Sequence, residues 1–165
     1  DVDALVDAHG NVPGDLLNLT YLALMPFRLM SQKYVGLVDM ADDVAQIENF
    51  LRMEQWIFDS PDQPGEAFRQ FVNWLYKENR LVRGTLEIGA RRVDLANVTM
   101  PVLNVYATRD HLVPPAATLA LAERVGSRDY GTYAFDGGHI GIYVSGKAQR
   151  DLPRTIGSWL LAREA

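Results

Sequence analysis

A chain of 165 residues is about the size of one domain, and with 48% apolar residues it can bury a core. Its formal net charge of −5 leaves no electrostatic footprint for nucleic acid, and no run of Lys and Arg marks an anionic membrane surface. The chain has no cysteine, which excludes a disulfide framework and thiolate metal ligation but leaves the compartment open. No apolar run reaches the roughly 18 residues a membrane helix needs. The longest, "LLNLTYLALMPF", is interrupted by Asn18, Thr20 and Pro26. No secretory leader is visible. The chain opens in mid-phrase on "DVDALVDAHG", without methionine, which reads as a fragment or a processed chain.

Residues 1 to about 80 read as helices. Between Pro13 and Asp39 they are short and broken by Pro26 and Gly36. "DDVAQIENFLRMEQWIFDSP" sets Val44, Ile47, Phe50, Leu51, Ile57 and Phe58 at near-helical spacing, with Asp42 as N-cap and Pro61 as stop. "GEAFRQFVNWLYKEN" repeats the pattern through Phe68, Phe71, Val72 and Leu75.

From about residue 85 the pattern changes to alternating strand and helix. "TLEIGARRVDL" predicts a hairpin turning at Gly89-Ala90. "MPVLNVYA" and "YGTYAF" read as strands, and "PPAATLALAERVG" between them as a helix. "KAQRDLPRTIGSWLLAREA" closes the chain as an amphipathic helix with Pro153 near its start. Strand, helix, strand, helix predicts an α/β fold with a parallel sheet and right-handed crossovers. In such sheets function gathers beyond the carboxyl ends of the strands.

Two titratable groups fall at that edge. Asp110, in "ATRDHLVPP", follows the strand segment "VLNVY" by four residues, and His139, in "DGGHIG", follows "YGTYAF" by the same distance. A carboxylate that accepts a hydrogen bond from one imidazole nitrogen fixes the tautomer and leaves the other nitrogen free as a base. The order Asp then His, late in an α/β chain, is that of α/β-hydrolases. Each residue also has a plainer reading. Asp110 can cap the turn into the helix opened by Pro114 and Pro115, and His139 can be a turn residue behind Gly137-Gly138. A metal site on Asp110, His111 and His139 is a third arrangement, disfavoured because adjacent Asp110 and His111 point apart. No G-x-[Ser/Cys]-x-G nucleophile elbow occurs; Ser31, Ser60, Ser127, Ser145 and Ser158 all lack it. The elbow belongs before the Asp and the His, so the expected nucleophile lies upstream of Asp1.

The phrases "ENFLRMEQWIFDSPDQPGEAFRQF", "NRLVRGTLEIGARRVDL", "MPVLNVYATRDHLVPP" and "GGHIGIYVSGKAQRDLP" resemble the C-terminal half of polyhydroxyalkanoate synthase catalytic subunits, most of all the class III type. The resemblance runs over essentially the whole chain. It implies the C-terminal part of an α/β-hydrolase fold (residues 81–165) preceded by a helical cap (residues 1–80). It implies polymerisation of (R)-3-hydroxyacyl-CoA into polyester with release of CoA, and no cofactor beyond that thioester substrate. Carried over by motif, Asp110 and His139 match the catalytic acid and base of a Cys-His-Asp triad. Trp56 and Asp59 in "WIFDSP", Tyr76 and Asn79 in "LYKENRL", and His111 match residues near the substrate. From the residues alone, Trp56 and Tyr76 read equally as core aromatics on amphipathic helices, and Asp59 as a turn cap. The family's cysteine is absent here, so the chain alone is expected to be inactive. The resemblance further implies a cytoplasmic location at polyester granule surfaces, a homodimer and a second synthase subunit as partner, with no nucleic acid and no membrane span.

Two other readings stay open on the residues. One is half of another α/β-hydrolase, an esterase or depolymerase with a serine upstream. The other is a non-catalytic module that self-associates through "LLNLTYLALMPFRLM". The broken helices around Gly10, Pro13, Gly14, Pro26 and Gly36 also predict a mobile cap.

Overall fold

The computed structural model describes residues 1–164. The chain divides into two compact units, Asp1–Asn79 and Arg80–Ala165.

The first unit is helical. Helix α1 (Val2–His9) is capped by Asp1, whose carboxylate accepts the Asp3 amide at 2.9 Å. Val2 and Val6, one turn apart, bury against Val12, with Leu5, Leu17, Phe68 and Val72 packed around them. Helix α2 (Gly14–Leu24) ends just before Pro26, which has no N–H to continue the helical ladder. An irregular run follows: a π-helical turn (Phe27–Gln32), helix α3 (Lys33–Val35) and a 3₁₀ turn (Val38–Met40). Lys33 Nζ bonds both Glu54 carboxylate oxygens at 2.8 and 2.9 Å, and the Tyr34 hydroxyl donates to the same carboxylate at 2.6 Å. This knot ties the irregular run to helix α4 (Val44–Phe58).

Helix α4 is capped by Asp43, not Asp42. Asp43 has the extended backbone of an N-cap and accepts the Gln46 amide at 3.1 Å. The helix stops at Phe58 rather than at Pro61, because a proline pushes the residue before it out of the helical region. The segment expected as one helix over 65–79 is split. Helix α5 (Gly65–Gln70) passes into a π-helical stretch (Phe71–Lys77), closed by an i to i−5 bond from the Glu78 amide to the Asn73 carbonyl at 2.9 Å. Asn79, at φ 52°, ends it in the left-handed region that Asn tolerates. Gly65 lies so close to Gly10 that a Cβ would sit 1.6 Å from the Gly10 carbonyl oxygen, which joins α5 to the end of α1.

The second unit opens with helix α6 (Arg80–Arg83) and the predicted hairpin, strands β1 (Glu87–Ile88) and β2 (Arg91–Arg92). Its turn residues Gly89 and Ala90 both have φ 50°, the primed turn that matches strand twist. Strands β3 (Val102–Ala107) and β4 (Tyr130–Phe135) are parallel, in register from Val102 opposite Tyr130 to Ala107 opposite Phe135. The helix between them is shorter than its sequence pattern: α7 (Pro115–Leu119) tightens into a 3₁₀ turn (Ala120–Glu123). After β4 come α8 (Gly141–Val144), a single turn with no separate signal in the sequence, and α9 (Gly146–Leu161). Helix α9 is capped by Ser145, whose hydroxyl accepts the Ala148 amide at 3.1 Å. Its early start puts Pro153 inside the helix instead of near the beginning, where it deprives the Gln149 carbonyl of a donor. The core of this unit is Ala107, Phe135, Ile142 and Ala148, with Val105, Tyr133 and Leu152 against it. It therefore lies directly beneath the ends of β3 and β4. Among the described residues no helix is long and apolar enough to cross a membrane.

Candidate active site

The backbone brings the two strand ends together before any side chain is considered. Past the last paired residues, the Thr108 amide donates to the Phe135 carbonyl and the Arg109 amide to the Gly137 carbonyl, each at 2.9 Å. The loops after β3 and β4 are thus stitched side by side. Gly137 is needed by space rather than by dihedral angle, since a Cβ there would sit 2.4 Å from the Phe135 ring. Gly138 has room for a methyl group. The chain passes over the buried Phe135 ring, presents His139 and enters α8, where the Ile142 amide donates to the Gly138 carbonyl at 3.1 Å.

On this frame His139 Nδ1 lies 2.8 Å from Asp110 Oδ2. The other oxygen, Oδ1, accepts the amides of Leu112 at 2.9 Å and Val113 at 2.8 Å. The turn-cap and imidazole-partner readings of Asp110 therefore coexist, one oxygen for each. Burial by itself pushes the Asp110 carboxyl upward. The Val113 amide, the His139 imidazole and the Leu112 amide together outweigh it and hold the group below its ordinary value. An ionised carboxylate only accepts hydrogen bonds, so Nδ1 of His139 carries a proton, and in the neutral imidazole the lone pair is on Nε2. Asp110 is 11% exposed and His139 34%, so the acid is sheltered while the imidazole edge is accessible. The two residues line a cleft of about 150 Å³ with Val105, Tyr106, Thr118, Ile142 and Tyr143. Such an arrangement can take a proton from a nucleophile and return it to a leaving group.

The other sequence candidates lie elsewhere. His111 is exposed beside Asp110, with no hydrogen-bond partner among the described residues. No cluster of three or more His, Asp or Glu among the described residues is arranged to hold a metal ion, including Asp110, His111 and His139. Trp56, Asp59, Tyr76 and Asn79 belong to the first unit. Trp56 is 64% exposed on the last turn of α4, and Asp59 follows as that helix's C-cap. Tyr76 is 71% exposed in the π-helical stretch, edge-on to Phe71 with ring centroids 5.3 Å apart. Neither aromatic is a core residue of this chain. One group escaped the sequence reading. The Arg109 guanidinium bonds Asp136 at 2.6 Å, and Lys147 Nζ lies 3.6 Å from the same carboxylate. The only hint in the sequence was adjacency, Arg109 to Asp110 and Asp136 to "GGH".

The second unit is thus an α/β unit with an oriented carboxylate–imidazole pair at the carboxyl edge of its parallel strands. The whole chain is similar to subunits of polyester polymerases. Over 163 residues, 99% of this chain, it is 56% identical to poly(3-hydroxyalkanoate) polymerase subunit PhaC of Thiocystis violacea. It is 55% identical to the subunit of the same name in Allochromatium vinosum over an equal length, and 54% identical to that of Synechocystis sp. over 165 residues. The chain spans about half the length of these relatives, 46%, 46% and 44% respectively. No family model matches it.

Proposed function

We propose that the chain is the acid–base half of a poly(3-hydroxyalkanoate) synthase of the class III type. In this reading Arg80–Ala165 is the last part of an α/β-hydrolase core, and the helical unit is a cap. The observation that carries it is the 2.8 Å contact between His139 and Asp110 at the edge of parallel strands, in a chain so similar to polymerase subunits. The nucleophile is a cysteine outside these 165 residues. His139 Nε2 takes the thiol proton, and the thiolate attacks the carbonyl carbon of (R)-3-hydroxyacyl-CoA. The carbon–sulfur bond to CoA breaks, and the imidazolium returns its proton to the departing CoA sulfur. Asp110 orients the ring and steadies its cationic form. In the next half-reaction the same base deprotonates a substrate hydroxyl, which attacks the acyl-enzyme carbonyl. The carbon–sulfur bond to the cysteine breaks, the imidazolium returns its proton to the cysteine sulfur, and the polyester is one unit longer.

Trp56, Asp59, Tyr76, Asn79 and His111 serve as substrate contacts in the same proposal. The exposure of Trp56 and Tyr76 supports this for the two aromatics, since it leaves them accessible to a partner or ligand. A cap that excludes water would keep hydrolysis from competing with chain growth. Dimerisation, a second synthase subunit and work at the surface of cytoplasmic polyester granules belong to this proposal too.

Reconstitution tests it. This chain alone should release no CoA from 3-hydroxybutyryl-CoA, and adding the upstream half that carries the cysteine should restore release. CoA release by the chain alone, or a complete protein that works through a serine, would overturn the assignment.

A further inference from the structure

We propose that Arg109 and Lys147, gathered around Asp136, hold the phosphate-bearing end of the CoA thioester at the rim of the cleft. The inference rests on the synthase reading and adds to it the part of the substrate that is not polymerised.

Charge is divided sharply along the chain. Asp1–Asn79 has 13 acidic and 5 basic residues, a net charge of −8, whereas the remainder has 8 acidic and 11 basic, net +3. The nucleotide end of a CoA thioester is strongly anionic, so net charge favours the second unit for that end of the substrate. Within the second unit, Arg109 and Lys147 stand on the segments that carry the acid–base pair and follow the cleft wall. Arg109 immediately precedes Asp110, and Asp136 lies three residues before His139. Lys147 is in the first turn of α9, one helix after Ile142 and Tyr143 of the cleft wall. A single carboxylate, Asp136, faces both cations, at 2.6 Å from Arg109 and 3.6 Å from Lys147. The trio keeps a net positive charge. Arg150, exposed on the next turn of α9, adds a third cation with no ion-pair partner among the described residues.

All three side chains of the trio are exposed, which is where phosphates belong in this substrate. The pantetheine arm separates them from the thioester sulfur, so phosphate contacts fall at the rim while the acyl carbonyl reaches His139. Arg109 offers a planar fork suited to phosphate oxygens and Lys147 a mobile point charge. Asp136 holds the two heads together and restrains them while no substrate is bound.

The experiment compares two thioesters of 3-hydroxybutyrate in the full-length polymerase containing this chain. One is the CoA thioester. The other is the N-acetylcysteamine thioester, with the same acyl group and sulfur but no phosphate. The Arg109→Gln/Lys147→Gln double variant should raise KM for the CoA thioester about tenfold or more, with kcat little changed. It should leave turnover of the N-acetylcysteamine thioester as in the unchanged enzyme, which also shows that the variant is folded. Asp136→Asn should lower KM for the CoA thioester alone. An equal effect on both thioesters, or no effect on either, overturns the proposal while the synthase reading stands. An unchanged enzyme that turns over neither thioester overturns the synthase reading and this inference with it.

Discussion

His139 and Asp110 come from the ends of adjacent parallel strands, yet Nδ1 of one lies 2.8 Å from Oδ2 of the other. The contact depends on Asp110 dividing its oxygens. Oδ1 is fixed by the Leu112 and Val113 amides, which aims Oδ2 at the imidazole. Asp110→Asn tests that division. An asparagine keeps the Oδ1 acceptor but presents an N–H to Nδ1, so the imidazole must carry its proton on Nε2 and loses its basic nitrogen. Under the proposed synthase function, CoA release by the complete protein should fall on the order of 10⁴-fold, with the circular dichroism spectrum unchanged.

Acid should expose the same pair. The Asp110 carboxyl is held below its ordinary value of 3.8 in the folded chain. A depressed carboxylate stabilises the fold above its unfolded pKa, and that contribution is lost as pH falls through the folded pKa. The gap in urea midpoint between the unchanged chain and Asp110→Asn should be full at about pH 6 and shrink steadily below about pH 4. A gap independent of pH would show that the Asp110 charge is not stabilising.

The two glycines before His139 should behave differently. Gly137→Ala drives a methyl group into the Phe135 ring, which is 2% exposed and has little room to move. It should cost about 1–3 kcal/mol in denaturant unfolding and displace His139, lowering activity further than stability. Gly138→Ala meets only ordinary contact distances and should be close to neutral on both measures.

In the helical unit, Glu54 takes hydrogen bonds from both Lys33 and Tyr34. Removing it with Glu54→Ala strands a largely buried ammonium, a loss of about 1–3 kcal/mol. Amide hydrogen exchange should quicken over residues 27–40 while α1 and α5 stay as before. In the unchanged chain the same residues should exchange faster than β3 and β4. Equal protection would argue against a mobile cap.

Much of the second unit was legible in the sequence because its signals are local. Gly89-Ala90 between alternating residues specifies a hairpin, and two short apolar runs around a proline-opened helix specify parallel strands. Their ends place Asp110 and His139 by counting alone. What was not legible depends on tertiary context. The passage of α5 into a π-helical stretch at Phe71 leaves the apolar spacing nearly unchanged. Pro153 looks like a helix start, yet the Ser145 cap begins α9 earlier and carries the chain through it. Asp42 and Asp43 are equal as caps on paper, and only backbone conformation selects the second. The Arg109–Asp136–Lys147 group joins residues up to 38 apart in sequence, with no spacing rule to announce it.

The central claim, that His139 is the base of a thiol-dependent acyl transfer, is tested most directly by His139→Gln in the full-length polymerase. The measurement is release of CoA from 3-hydroxybutyryl-CoA near neutral pH. Glutamine can still hydrogen-bond Asp110 but cannot accept the thiol proton, so release should fall by about 10³-fold or more with the fold intact. Release that continues at the rate of the unchanged enzyme would contradict the account.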